Sequence, residues 1–75
     1  MAKVKAFTLT NCPNCDELKS YMKSSNIVYE EANVETDPSA LERMTLEGIE
    51  QYPAVEVNGM IYSGDVDKLK SIVSL

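Results

Sequence analysis

The apolar run Val4-Lys5-Ala6-Phe7-Thr8-Leu9 gives way through Thr10-Asn11 to Cys12-Pro13-Asn14-Cys15. The run reads as a strand that ends at Thr10-Asn11. Proline has no N–H to lose in a first helical turn, so a helix is predicted to open at Pro13. Cys15, Leu18 and Met22 then fall at i, i+3 and i+7 on one apolar face. Ser24-Ser25-Asn26 ends that helix, and a second strand is predicted from Ile27 to Val34.

Further along, Thr36-Asp37-Pro38 combines a capping side chain with proline at a first helical position. The helix it starts is predicted to bury Leu41, Met44, Thr45 and Ile49 and to close at Gly48 in a left-handed conformation. Ala54-Val55-Glu56-Val57, Asn58-Gly59 and Met60-Ile61-Tyr62 read as a hairpin, because both Asn-Gly positions tolerate positive φ. Asp65 or Ser63 caps a last helix with Val66, Leu69, Ile72 and Val73 on its apolar face. The order is β-α-β-α-β-β-α. It predicts an α/β domain in which the first two strands run parallel and the last two antiparallel, a four-stranded mixed sheet with helices on both faces.

Of 75 residues, 44% are apolar and 25% charged, ordinary proportions for one globular domain. The formal charge of −5 and the scatter of seven Lys and Arg among twelve acids argue against nucleic-acid binding. Such an acidic surface favours solubility and can steer a basic patch on a protein partner, although a merely solvated surface explains it as well. No tract reaches the ~18 apolar residues of a membrane span. The N-terminal residues do not read as a signal peptide, so a cytoplasmic location and a monomer are expected. There is no histidine, which removes Cys-His nucleophile pairs, imidazole acid–base chemistry and most zinc sites.

The two cysteines carry the chemistry. Cys12 falls at a helix N-terminus, where unpaired amides and the positive end of the dipole favour a thiolate. Cysteines so placed ionise at roughly pH 3.5–7.5 instead of about 8.5. One helical turn brings Cys15 within reach of a mixed disulfide on Cys12, and Cys15 is predicted to be the more shielded thiol. A structural disulfide gains little from so short a loop. Metal binding would need a second chain or carboxylates to complete four ligands. A C-x-x-C after a strand and opening a helix predicts thiol–disulfide exchange, with Cys12 as nucleophile and Cys15 as resolving thiol.

With these features the chain resembles the glutaredoxin branch of the thioredoxin fold. The resemblance rests on Cys12-Pro13-Asn14-Cys15 after the first strand, Tyr52-Pro53 before the third and Ser63-Gly64-Asp65-Val66-Asp67 after the fourth. It covers nearly the whole chain and implies a single glutaredoxin-like domain over residues 1–75. It also implies a cis bond before Pro53, with Pro53 facing the cysteines, and Pro13, Asn14 and Pro53 as the motif that supports the catalytic pair. A substrate or glutathione groove would be lined by Tyr52, Gly64, Asp65 and Val66, with the Tyr52 backbone pairing to a bound thiol. Tyr21, Tyr29 and Tyr62 are expected to pack, and Met60-Ile61-Tyr62 to lie in the core.

Family members commonly carry tyrosine where Asn14 stands, Thr-Val-Pro in place of Gln51-Tyr52-Pro53, and a glycine pair in place of Ser63-Gly64. These departures bear on glutathione recognition more than on redox chemistry. The expectation is an oxidoreductase and electron-transport protein with no tightly bound cofactor and no metal. It would reduce a client protein, with ribonucleotide reductase among the candidates. Either glutathione or a flavoenzyme of the thioredoxin-reductase kind would recycle it. The alternative from another class is a dimeric metal or iron–sulfur module using the same cysteines; an adaptor with vestigial cysteines is a third.

Overall fold

The computed structural model describes residues 4–74. Its elements are β1 (Val4–Thr8), α1 (Pro13–Ser24), β2 (Tyr29–Asn33), α2 (Pro38–Leu46), β3 (Ala54–Val57), β4 (Met60–Ser63) and α3 (Val66–Val73). The sheet order is β2-β1-β3-β4. β1 runs parallel to β2 and antiparallel to β3, and β3 pairs antiparallel with β4. The predicted element order and mixed sheet are both present.

Alternation along β1 divides the core. Val4 and Ala6, with Val55, pack under Leu18 and Met22 of α1 and Leu69 and Val73 of α3. Phe7, with Ala32 and Ala54, packs on the opposite face under Ala40 and Met44 of α2. The helices therefore cover both faces, α1 and α3 on one and α2 on the other.

Helix ends follow from local chemistry. Asp37 caps α2 by accepting Ser39 and Ala40 N–H groups, and Asp65, of the two candidates, caps α3 through Asp67 N–H. Both α1 and α2 end in the same double-bonded turn. After α1, Asn26 takes φ 57° and donates to Lys23 carbonyl, while Ile27 donates to Met22 carbonyl at 2.8 Å. After α2, Gly48 at φ 71° donates to Thr45 and Ile49 to Met44. In both motifs the isoleucine after the turn packs back against the core.

That turn corrects the second strand, expected from Ile27. Ile27 is committed to closing α1, Val28 is 79% exposed, and pairing begins only at Tyr29. The α2 stripe also differs. Ala40 and Met44 are the buried pair, one turn apart, whereas Leu41 and Thr45 lie one position round the helix and are exposed. Met60, expected in the core, is 60% exposed because β4 is an edge strand and Met60 sits beside its turn. The turn itself agrees with expectation, with Asn58 at φ 53° and Gly59 at φ 84°.

This face assignment predicts unequal costs for two neighbouring truncations. Met44→Ala should destabilise by about 2–5 kcal/mol, the range for emptying a core site. Leu41→Ala should cost about 1 kcal/mol or less. Urea denaturation of the two variants measures the difference, and equal losses would contradict the assignment.

Candidate functional site

The two cysteines sit where β1 hands over to α1. Asn11 turns the chain at φ 56°, which lets Cys12 adopt extended backbone (φ −110°, ψ 103°) as the N-cap of α1. Cys12 Sγ accepts the Cys15 N–H at 3.2 Å, so a sulfur fills the place that a serine or aspartate oxygen takes at other caps. The Cys12 carbonyl accepts the Asp16 N–H at 3.0 Å. The two sulfurs are joined, with a Cα–Cα separation of 5.2 Å, inside the usual disulfide range. Cys15 is 1% exposed and lies with Leu18 and Met22 on the buried side of α1. Cys12 is half-buried, and Pro13 and Asn14 are exposed beside it.

Strand register brings the other expected residues to the same end of the sheet. Phe7 pairs with Ala54, so Pro53 sits opposite the last residue of β1. Ala54 pairs with Ser63, which sets Gly64 at that end too. The Tyr52–Pro53 bond is cis and Pro53 is fully buried. Tyr52 is half-buried against the α2-side core, and that burial raises the pKa of its hydroxyl. Gly64 has φ 114°, a conformation side chains rarely adopt, and a Cβ there would lie 3.5 Å from Gln51 Oε1.

Asp65 and Val66 begin α3 at the same end. The Asp65 carboxylate accepts the Asp67 N–H at 3.0 Å, and the Val66 side chain is buried in the α1/α3 core. What Val66 can offer a ligand is backbone.

A polar network holds α1 against β2. Glu31 Oε2 accepts from buried Thr8 Oγ1 and from Lys19 Nζ, both at 3.0 Å, and Lys19 also lies 3.5 Å from Asp16. The Lys19 hydrogen bond lowers the Glu31 pKa, and the same bond raises that of Lys19. On the other side, Lys70 of α3 meets Glu17 at 2.8 Å and lies over the Tyr21 ring.

A second contact was invisible in the sequence pattern. Glu35 Oε1 accepts the Thr10 N–H at 2.7 Å, and Asn33 donates to Thr10 Oγ1 at 3.1 Å. These residues are 25 and 23 positions apart, and only the pairing of Thr8 with Asn33 brings them together.

A hollow of about 340 Å³, bordered by Lys5, Glu30, Glu56, Asn58 and Gly59, opens at the other end of the sheet, away from the cysteines. Among the described residues, no three acidic or cysteine side chains converge as a metal site, and no helix is long and apolar enough to cross a membrane.

The sequence model of the glutaredoxin family matches residues 4–61. The chain belongs to the glutaredoxin family. It is 32% identical over 71 residues to a glutaredoxin-like 8.6 kDa protein in the rubredoxin operon of Clostridium pasteurianum, covering 88% of this chain and 95% of that one. The glutaredoxin-like protein NrdH of Salmonella typhimurium is 30% identical over 61 residues, 81% of this chain and 75% of its own. Among solved structures, the NrdH-redoxin of Escherichia coli superposes with a TM-score of 0.80 at 25% identity, over 93% of each chain. The fold is thioredoxin-like, and the chain is a glutaredoxin/NrdH-like redox protein with its cysteine pair at disulfide distance.

The pKa directions around Glu31 give a pH signature. Glu31 is lowered from 4.5, so its contribution is present above that value and fades as pH falls through the lower folded value. Lys19 is raised from 10.5, so its part is present below that value and fades as pH climbs through the higher folded one. Glu31 is 38% exposed in its side chain, which screens the pair, so Glu31→Gln should cost at most about 1 kcal/mol at neutral pH. The gap from the unsubstituted protein, read by urea denaturation, should close in acid; a gap independent of pH would contradict the ion pair.

Proposed function

We propose that this glutaredoxin reduces protein disulfides by dithiol exchange, with Cys12 as nucleophile and Cys15 as resolving thiol. One observation carries the assignment of roles: Cys12, a half-buried residue, caps α1, while Cys15 lies buried one turn inside. In the reduced protein, the Cys15 amide and the α1 dipole stabilise the Cys12 thiolate. That thiolate attacks one sulfur of the client disulfide, forming a Cys12–client bond and releasing the other client sulfur as a thiolate. The Cys15 thiolate then attacks Cys12 Sγ and expels the second client sulfur. Two electrons pass to the client, whose thiolates take up the two protons that the protein's thiols gave up. Burial of Cys15 keeps it from competing for clients and leaves it facing Cys12.

The oxidised pair must be reopened by an external donor. The E. coli NrdH-redoxin is described as having a thioredoxin-like activity profile. With the altered Ser63-Gly64 turn, that description supports recycling by a flavoenzyme of the thioredoxin-reductase kind over glutathione. Ribonucleotide reductase fits as client, since its disulfide needs a small dithiol donor, and a reducing compartment such as the cytoplasm suits the whole cycle.

Three measurements test this reading. Cys12→Ser should abolish reduction of an insulin or peptide disulfide. Cys15→Ser should stall after the first step and accumulate a Cys12–client adduct visible by mass spectrometry. In an NADPH-coupled assay, turnover with a thioredoxin reductase should exceed that with glutathione and glutathione reductase by about tenfold or more, a difference of ~1.4 kcal/mol in barrier. Equal turnover would overturn the recycling preference, and an active Cys12→Ser variant would overturn the mechanism.

A further inference from the structure

Three helix N-termini and the strand ends that feed them meet at the cysteine end of the molecule, and they bring carboxylates with them. Asp16 lies in the first turn of α1 with Glu17 just after it, Glu35 and Asp37 between β2 and α2, Glu50 before β3, and Asp65 at the cap of α3. The cations near this end are largely committed. Lys19 is paired with Glu31 and Asp16, and Lys70 with Glu17. Lys68 is exposed in the first turn of α3, on the opposite side of that helix from Lys70, the residue that reaches α1.

Glu35 differs from the rest of this set. Its Oε1 is held at 2.7 Å by the N–H of Thr10, two residues before Cys12. Its charge is therefore fixed on the segment that presents the nucleophilic sulfur. It takes part in none of the ion pairs among the described residues. A carboxylate anchored by a backbone amide and lacking a cation beside it projects its field toward whatever approaches Cys12.

We propose that Glu35 is a specificity-determining residue for disulfide exchange at Cys12, selecting client disulfides flanked by lysine or arginine. The inference rests on the disulfide-reductase reading and names the substrate class for that same cysteine pair. A basic flank gains attraction as it docks, an acidic flank meets repulsion, and the exchange chemistry is the same for both.

The test uses the reduced full chain and three disulfide-bonded peptides of one length, with lysine, serine or glutamate beside the cysteines. At about 20 mM salt the lysine peptide should react about threefold to tenfold faster than the glutamate peptide, with serine between, and the spread should collapse near 0.5 M salt. Glu35→Gln keeps an oxygen to accept the Thr10 N–H while removing the charge, and should narrow the lysine-to-glutamate ratio at low salt. Equal rates for all three peptides, a ratio indifferent to salt, or a ratio unchanged in Glu35→Gln would each overturn the inference while leaving disulfide reduction intact. Failure to reduce the serine peptide would overturn the reductase reading itself.

Discussion

A helix that begins almost directly after a strand leaves its first amides without partners, and here a sulfur receives one of them. Capping with Cys12 imposes conditions in both directions along the chain. The cap residue needs extended backbone, so the chain must turn sharply just before it, and Asn11 does so at φ 56°. The next residue must enter a helix without an amide to satisfy, which Pro13 provides. Cys15 then falls one turn in, on the side that Leu18 and Met22 bind to the sheet. Without that apolar anchor, α1 could rotate and Cys15 would leave its place beneath Cys12.

Polar contacts refine the position that burial sets. Lys19 reaches Glu31 on β2, and Glu17 reaches Lys70 on α3, so α1 is tied on both flanks. Tyr21 adds a hydrogen bond between its hydroxyl and Ser74 Oγ, beside the Lys70 ammonium over its ring. Each of these partly exposed pairs contributes little stability. Their larger consequence is electrostatic. Lys19 and Lys70, on the two flanks of α1, are each paired with neighbouring carboxylates, while Glu35 takes part in none of the ion pairs among the described residues.

Much of this was legible in the chain because the decisive signals are local. Pro13, the spacing of Cys15, Leu18 and Met22, and the Asn58-Gly59 turn each specify a conformation within a few residues. Gly48 likewise marked the end of α2. The same device at Asn26 shows in the sequence only as a helix end, because its further demand, that Ile27 close the turn instead of joining β2, lies in a hydrogen bond back to Met22. The α2 stripe shifted by one position because Ala40 is small enough to sit against the sheet, and a pattern weighted toward larger side chains prefers Leu41. Glu35 was illegible for another reason. Its contact with Thr10 spans 25 residues and depends on strand register, which no local pattern encodes.

Two ranges of electrostatic influence thus meet at one sulfur, and they do different things. The Cys15 amide acts on Cys12 Sγ at 3.2 Å, too close for solvent to intervene, and it favours charge on the sulfur. The surrounding carboxylates act through water, where screening at physiological salt sets in over about 8 Å. Because the near contact is short and directional, it is the part that acts, in the proposed exchange, on whether the reduced sulfur ionises. Because the distant field reaches beyond the protein surface, it is the part that acts, in our proposal, on which disulfides arrive. The proposed thiolate is thus compatible with an acidic end of the molecule, because the amide acts on the sulfur at contact while the carboxylates act on it only through screening water.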